Sequence, residues 1–284
     1  MNLKANVMIP DAETNFVYFS GLLKSEPKYK PFHDQLIALL TKHKIDYNYL
    51  PETKDIWARD YMPVQVSKRK FVEYRYDPDY LQGIESGCRN LKTYPDMVCD
   101  AIGLSTVKTD LIIDGGNVVK SRNGIVMTDE VVLENSLKYS KQKLISRLHE
   151  VFEVDKVVLI PADSENIFGH ADGMLRFIDD DTVLVSSFYR GDREMLRQLS
   201  RAGLKAEFLD LGQKKLHKYE WAYVNFLQMR DVLLLPVFEN GSNEKALEII
   251  QGCYPEYKGK ILPVDCTSLL KYGGALNCVS WTRG

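Results

Sequence analysis

Five side chains in this sequence are of types that do nucleophilic, proton-transfer or cation-binding chemistry, and each lies in a short motif: Asp60, Asp114, His170, Asp172 and Cys278. The first motif, Trp57-Ala58-Arg59-Asp60-Tyr61-Met62-Pro63, sets a carboxylate after an arginine and an aromatic at the mouth of a strand. A surface Arg–Asp pair would look the same. The second, Leu111-Ile112-Ile113-Asp114-Gly115-Gly116-Asn117-Val118-Val119, is an apolar strand broken by Asp-Gly-Gly-Asn. Two glycines inside a strand pattern predict a bulge or a close approach of backbone to a ligand, with a tight hairpin turn as the plain alternative. In the third, Ile167-Phe168-Gly169-His170-Ala171-Asp172-Gly173-Met174-Leu175-Arg176-Phe177, a strand conformation would point His170 and Asp172 to one face. His-x-Asp is also a metal-ligand spacing, and a lone histidine is more often a satisfied core residue. The fourth, Tyr272-Gly273-Gly274-Ala275-Leu276-Asn277-Cys278-Val279-Ser280-Trp281, puts Cys278 on a strand among apolar neighbours behind a Gly-Gly pair. Such a cysteine is usually buried and inert. Its company, one histidine and three aspartates at matching ends of strands, argues for a reactive one.

Composition narrows the setting. Hydrophobic residues are 45% and charged residues 27%, the balance of an ordinary globular protein. A formal net charge of −2 favours neither nucleic acid nor an anionic membrane, and is compatible with a small cationic substrate. No apolar run approaches the roughly 18 residues that a spanning helix needs. The first residues, MNLKANVMIPDAETNF, show no apolar core behind a basic start, so no signal peptide is expected. The five cysteines are odd in number and none is spaced as CxxC, which speaks against a zinc ribbon or disulfide framework and for the reducing cytoplasm.

The elements that must position these motifs follow a period. Helices are expected at Pro31–His43, Asn90–Ile102, Ser140–Phe152, Asp192–Ala202 and Asn243–Cys253. In the third, Leu144, Ile145, Leu148 and Val151 share one face. Short strands rich in Val, Ile, Leu and Tyr lie between them, among them Lys156–Ile160, Gly173–Phe177, Thr182–Ser186 and Val232–Val237. Helix starts recur about every fifty residues, the range of a repeated supersecondary unit. Each unit reads as strand, strand, helix, strand, and Tyr272–Trp281 supplies strands without a helix that could close a ring against the first unit. With no linker or low-complexity stretch, residues 1–284 are expected to form one domain. A generic α/β domain with accidental spacing is the plain alternative.

Together W-x-R-D, D-G-G-N, G-H-x-D and a C-terminal G-G-x-x-N-C resemble the guanidino-modifying enzymes of the pentein fold, nearest to the agmatine deiminase and bacterial peptidylarginine deiminase branch. The resemblance runs in order from Trp57 to Trp281, and Val132-Leu133-Glu134-Asn135, Tyr223-Val224-Asn225-Phe226 and Leu235-Pro236-Val237-Phe238 also fit it. It implies a five-fold pseudosymmetric αβ propeller around a central site. It further implies that Asp60 and Asp172 bind a guanidinium, that His170 is general acid and base, and that Cys278 attacks. Asp114 stands where the family usually has Glu in E-G-G-x, as the partner of His170, and Asn117 follows in the same motif on the substrate side. Asn277 stands where a His often precedes the cysteine. Trp57 is either core packing or a wall against the substrate's alkyl chain.

That assignment makes chemical sense. A guanidinium is planar and cationic, and two carboxylates accepting paired N–H bonds fix its plane and carbon. The Cys278 thiolate would add to that carbon, and His170 would protonate the leaving nitrogen. Water would then hydrolyse the covalent amidino-thioether with His170 as base. No metal or cofactor is called for, because the substrate brings the positive charge. Substrates to be weighed are agmatine or another small guanidine, free arginine and peptidyl-arginine, with Arg59, Arg176 and Arg190 as conceivable carboxylate partners. Competing readings are an amidinotransferase, a metal hydrolase on Asp114, His170, Asp172 and Cys278, and a non-catalytic pentein binding module. Association with further copies of the chain stays open.

Overall fold

The computed structural model describes residues 8–82, 88–163, 169–213 and 217–284. Ile167 and Phe168 of the third motif lie outside the described residues. Fifteen strands among the described residues group into five three-stranded sheets. β1 (Phe16–Ser20) is followed by the helix Lys30–Lys42 and by β2 (Tyr47–Leu50), which returns parallel to β1. The next three units each run strand, strand, helix, strand. They are β3 (Val64–Ser67), β4 (Lys70–Arg75), the helix Pro95–Ala101 and β5 (Val107–Ile112); β6 (Val119–Lys120), β7 (Gly124–Thr128), the helix Lys141–Phe152 and β8 (Lys156–Ile160); and β9 (Leu175–Phe177), β10 (Thr182–Ser186), the helix Arg193–Arg201 and β11 (Lys205–Leu209). The last full unit is β12 (Leu227–Met229), β13 (Val232–Val237), the helix Asn243–Cys253 and β14 (Ile261–Asp265). β15 (Ser280–Arg283) then pairs antiparallel with β1, Tyr18 opposite Trp281, and completes the first sheet. Every sheet has its middle strand antiparallel to the short first strand and parallel to the last. The helix crossover is what the parallel pair requires. The result is the five-fold pseudosymmetric αβ propeller.

The helices form for ordinary reasons. In Lys141–Phe152 the buried stripe is Leu144, Leu148 and Phe152, the Ser140 hydroxyl accepts from the Lys143 N–H, and Glu153 ends the helix in the left-handed region at φ 55°. One expectation is corrected. The helix placed at Asn90–Ile102 begins only at Pro95, after a separate turn at Cys88–Leu91. Pro95 occupies the first helical position and holds Tyr94 extended at φ −99°, ψ 110°, so the helix cannot run back through it.

Two further expectations fail at the place that matters most. Neither His170 and Asp172 nor Cys278 stands on a strand. β9 starts at Leu175 and β15 at Ser280, and the residues just before each form turns. Each of the five short first strands is entered through such a turn. Ala58–Tyr61 precedes β3, Gly115–Asn117 precedes β6, and Ala171–Gly173 precedes β9. Glu220–Val224 precedes β12, and the turn through Asn277 and Cys278 precedes β15.

Candidate active site

Hydrogen bonds tie the five turns into a closed ring. The Arg59 N–H donates to the Cys278 carbonyl at 3.0 Å. The N–H groups of Asn277 and Cys278 donate to Asn225 Oδ1 at 3.2 and 3.3 Å, and Asn225 Nδ2 donates to the Asp172 carbonyl at 3.2 Å. The Ala171 N–H donates to Asn117 Oδ1 at 3.3 Å, and the Gly116 N–H to Asp60 Oδ1 at 3.2 Å. The turn before β9 thus carries both His170 and Asp172, and each turn is tied to its neighbour by these bonds. Backbone N–H groups that have no ladder partner at a turn are satisfied this way without losing the site's shape.

Inside the ring lies a cavity of about 210 Å³. Asp60, His170, Asp172 and Cys278 line it, with Trp57 as one wall. His170 Nε2 is 2.9 Å from Asp114 Oδ2, and its Nδ1 is 3.6 Å from Asp60 Oδ1. The shorter side chain at 114 therefore does reach the imidazole. It can because the following turn sits very close: a Cβ on Gly116 would lie 2.5 Å from Asp60 Oδ1 and 2.7 Å from His170 Nδ1. The two glycines thus form a tight turn, packed closely on the Asp60 and His170 side chains. Gly274 is the second such place, since a Cβ there would stand 2.1 Å from the Trp57 ring, which lies against that backbone. Trp57 is thus both packed and exposed to the cavity. Cys278 Sγ is 3.3 Å from Asn225 Oδ1 and 3.7 Å from Asp172 Oδ2. Asn277 Nδ2 donates to Asp172 Oδ2 at 2.7 Å and steers that carboxylate.

Asn117 is the one expected substrate contact that the structure does not bring to the cavity. Its Oδ1 accepts from the N–H groups of Thr128 at 2.8 Å and of Ala171, so its carboxamide holds the turn carrying His170 and Asp172 from behind. The arginines fall elsewhere too. Arg190 pairs with Asp210 on the surface, and Arg59 and Arg176 face a different cavity.

Several contributors carried no assignment from sequence. Asp55 lines the cavity and accepts from the Trp57 N–H at 2.8 Å. Tyr80 donates to Asp114 Oδ2 at 3.0 Å, and Trp221 forms part of the wall. Asn225 and Glu134 stood within segments that fit the family, but nothing in spacing singled them out.

Electrostatics separates these groups. Burial alone would lower the pKa of His170, but Asp60, the hydrogen bond to Asp114 and the Asp114 and Asp172 charges raise it to about 10, so the ring is an imidazolium at neutral pH. Burial pushes Asp60 well above the usual carboxylate range; His170 opposes this, and Asp114 and Asp172 add to it. Burial raises Asp55 to about 7 against the Trp57 N–H, with Asp114 contributing. Glu134 rises to about 9, first through burial and then through Asp114. Burial, then Asp172 and Asp60, hold the Cys278 thiol well above its normal value. Cys278 is therefore biased towards the protonated thiol in this setting.

Such an arrangement, a thiol facing carboxylates across a cavity on a five-bladed ring, belongs to the hydrolytic guanidino-modifying enzymes. Agmatine deiminase of C. jejuni has the same fold, with a TM-score of 0.76 at 17% identity over 98% of this chain and 95% of that one. Agmatine deiminase of Enterococcus faecalis superposes with a TM-score of 0.74 at 16% identity over 98% and 96%. A Mycoplasma capricolum protein provisionally named an agmatine deiminase is 23% identical, over 80% of this chain and 74% of its own. Residues 22–283 match the family model of the Porphyromonas-type peptidyl-arginine deiminases, and the chain belongs to that family.

Proposed function

We propose that this enzyme deiminates agmatine, or a similar small guanidine without a carboxylate, to the ureido product and ammonia. The observation that carries this choice is the charge of the cavity wall. Its described lining residues include Asp55, Asp60 and Asp172 and no lysine or arginine. A free arginine would bring an α-carboxylate into that field, where the one cation among the described lining residues, His170, already faces Asp114 and Asp60. Agmatine instead brings a second ammonium, for which Asp55 is a counter-charge, while Trp57, Trp221, Tyr76 and Leu81 suit the tetramethylene between.

Asp60 and Asp172 hold the guanidinium by paired N–H bonds. As the cation arrives the Cys278 thiol loses its proton to solvent, and Sγ adds to the guanidinium carbon. The His170 imidazolium donates its proton to one nitrogen, the C–N bond breaks, and ammonia leaves. Water then adds to the amidino-thioether carbon as neutral His170 takes one of its protons, and the C–S bond breaks as the remaining hydroxyl proton passes to sulfur, releasing the ureido product and restoring the thiol. Asp114 keeps the imidazole oriented through both halves.

The test is to follow ureido product and ammonia from agmatine, free arginine and an arginine-containing peptide, beside a Cys278→Ala control. Turnover of agmatine that vanishes in the control is expected. Turnover of the peptide or of arginine in preference to agmatine would overturn the substrate assignment.

A further inference from the structure

A second cavity of about 250 Å³ lies back to back with the catalytic one. The two share a wall one residue thick. Asp60 and Cys278 face the first, while their chain neighbours Arg59 and Asn277 face the second. Three cations, Arg59, Lys120 and Arg176, are buried at the second cavity, with side-chain exposures of 9%, 6% and 5%. One buried carboxylate, Asp11, meets all three: Arg176 Nη2 at 2.9 Å, Lys120 Nζ at 3.2 Å and Arg59 Nη1 at 3.6 Å. Arg59 Nη2 is buried and has no hydrogen-bond partner.

This charge count does not balance by itself. Guanidinium groups do not deprotonate, and a buried charge is tolerated only when paired. Burial lowers the pKa of Lys120, yet even with that amine neutral two guanidiniums would face one carboxylate. The remaining acids of the cavity, Glu13, Asp179 and Asp180, lie at its mouth in contact with water and are engaged there. Arg122 pairs with Glu13, and its backbone N–H donates to Asp180 at 3.0 Å; the Asp181 N–H donates to Asp179 at 2.8 Å. Glu13 is itself paired with Arg122, a further cation of the same cavity, so that pair leaves the imbalance among the buried groups, three cations to one carboxylate.

We propose that this second cavity binds a small oxyanion, a phosphate or a carboxylate, with Arg59, Lys120 and Arg176 as its donors. Planar guanidinium forks and an ammonium are the donor set such an anion takes. Arg59 also reaches the catalytic turn. Its backbone N–H donates to the Cys278 carbonyl at 3.0 Å and its Nε to the Asn277 carbonyl at 3.4 Å. An anion that orders Arg59 therefore also steadies the turn carrying the thiol.

The experiment uses the full chain with Cys278 alkylated, so that the catalytic cavity is blocked. Inorganic phosphate and acetate are titrated separately by calorimetry at constant ionic strength set with chloride. One site for at least one of the two anions is expected, and the arm that binds identifies the class. Lys120→Met should weaken it by about tenfold or more, the worth of a charged hydrogen bond. Asp11→Asn, which removes the competing carboxylate, should tighten it. Absence of binding by either anion to the unsubstituted chain overturns the proposal. So does binding that Lys120→Met and Asp11→Asn both leave unchanged, which would place the anion elsewhere.

Discussion

Gly116→Ala tests whether the packing of the turns, rather than the mere presence of the functional groups, sets the reaction rate. The added methyl would lie 2.5 Å from Asp60 Oδ1 and 2.7 Å from His170 Nδ1, where side-chain carbons essentially never come within 3.0 Å. One of the three must retreat by at least half an ångström. Neither neighbour is a free end: Asp60 is held by the Gly116 N–H, and His170 by Asp114 at 2.9 Å. Relief must therefore displace Asp60, the carboxylate proposed to bind the guanidinium, His170, the proposed proton carrier, or the turn between them. Overpacking of this kind costs ~1–3 kcal/mol of stability. Misplacement of a reacting group by about an ångström costs up to ~10²-fold in rate, so a loss of roughly 10–10² in kcat/KM for agmatine is expected. Gly252→Ala is the control, because a Cβ there meets nothing within 4 Å and the site is inside the helix Asn243–Cys253. It should leave kcat/KM unchanged and raise stability by about 1 kcal/mol. Steady-state kinetics and thermal melts of both variants read the outcome. A Gly116→Ala enzyme that folds and keeps the parent kcat/KM would refute the claim that this contact positions the chemistry.

Four further outcomes follow from the same geometry. Asp55→Asn should raise KM for agmatine more than for butylguanidine, which lacks the second amine; equal effects would remove Asp55 from substrate recognition. Because Asp55 titrates at about 7, agmatine binding at pH 6 should release protons to solvent; calorimetry in buffers of different ionisation enthalpy measures the number, and zero contradicts the assignment. Asp114→Asn should bring the His170 pKa down from about 10, seen by NMR titration of its ring protons in the Cys278→Ala background. The sign for stability follows: a raised histidine pKa stabilises the fold fully below its unfolded value of about 6.5 and is lost as pH climbs towards 10, so the variant should lose most below pH 6.5 and differ least above 10.

Much of the ring was legible from sequence because its periodicity is carried by burial. Val232–Val237 and Thr182–Ser186 read as strands since both faces are covered, Lys156–Ile160 from its run of β-branched and apolar residues, and Asn243–Cys253 read as a helix from its apolar spacing. The turns were not legible as turns. His170-Ala171-Asp172 runs into Met174-Leu175-Arg176-Phe177, and local pattern alone cannot mark where pairing stops and the chain coils. What decides it is the neighbouring blade, whose Asn117 captures the Ala171 N–H. Asn225 escaped assignment for the same reason. Its carboxamide bonds to the backbone of Asp172, Asn277 and Cys278, contacts between residues more than fifty positions apart. Asn117 was placed on the wrong side of its own motif because a sequence does not say which way a turn residue faces.

The charge state of the empty cavity explains how such a site chooses its substrate. With His170 cationic, Asp60 biased towards its acid form and the Cys278 thiol held protonated by burial, the resting site contains no strong nucleophile. A guanidinium about 4 Å from Sγ would stabilise the thiolate by ~4 kcal/mol at an effective dielectric constant near 20, which is about three pKa units. A neutral amide or urea of the same shape supplies none of this. The ligand's own charge is then the switch, and it acts on the carboxylates and the thiol together. Deimination removes that charge, so the product meets a site that returns to its protonated resting state. On the proposed binding mode Asp60 and Asp172 then face a neutral group instead of a cation, and release follows from the same electrostatics that favoured binding.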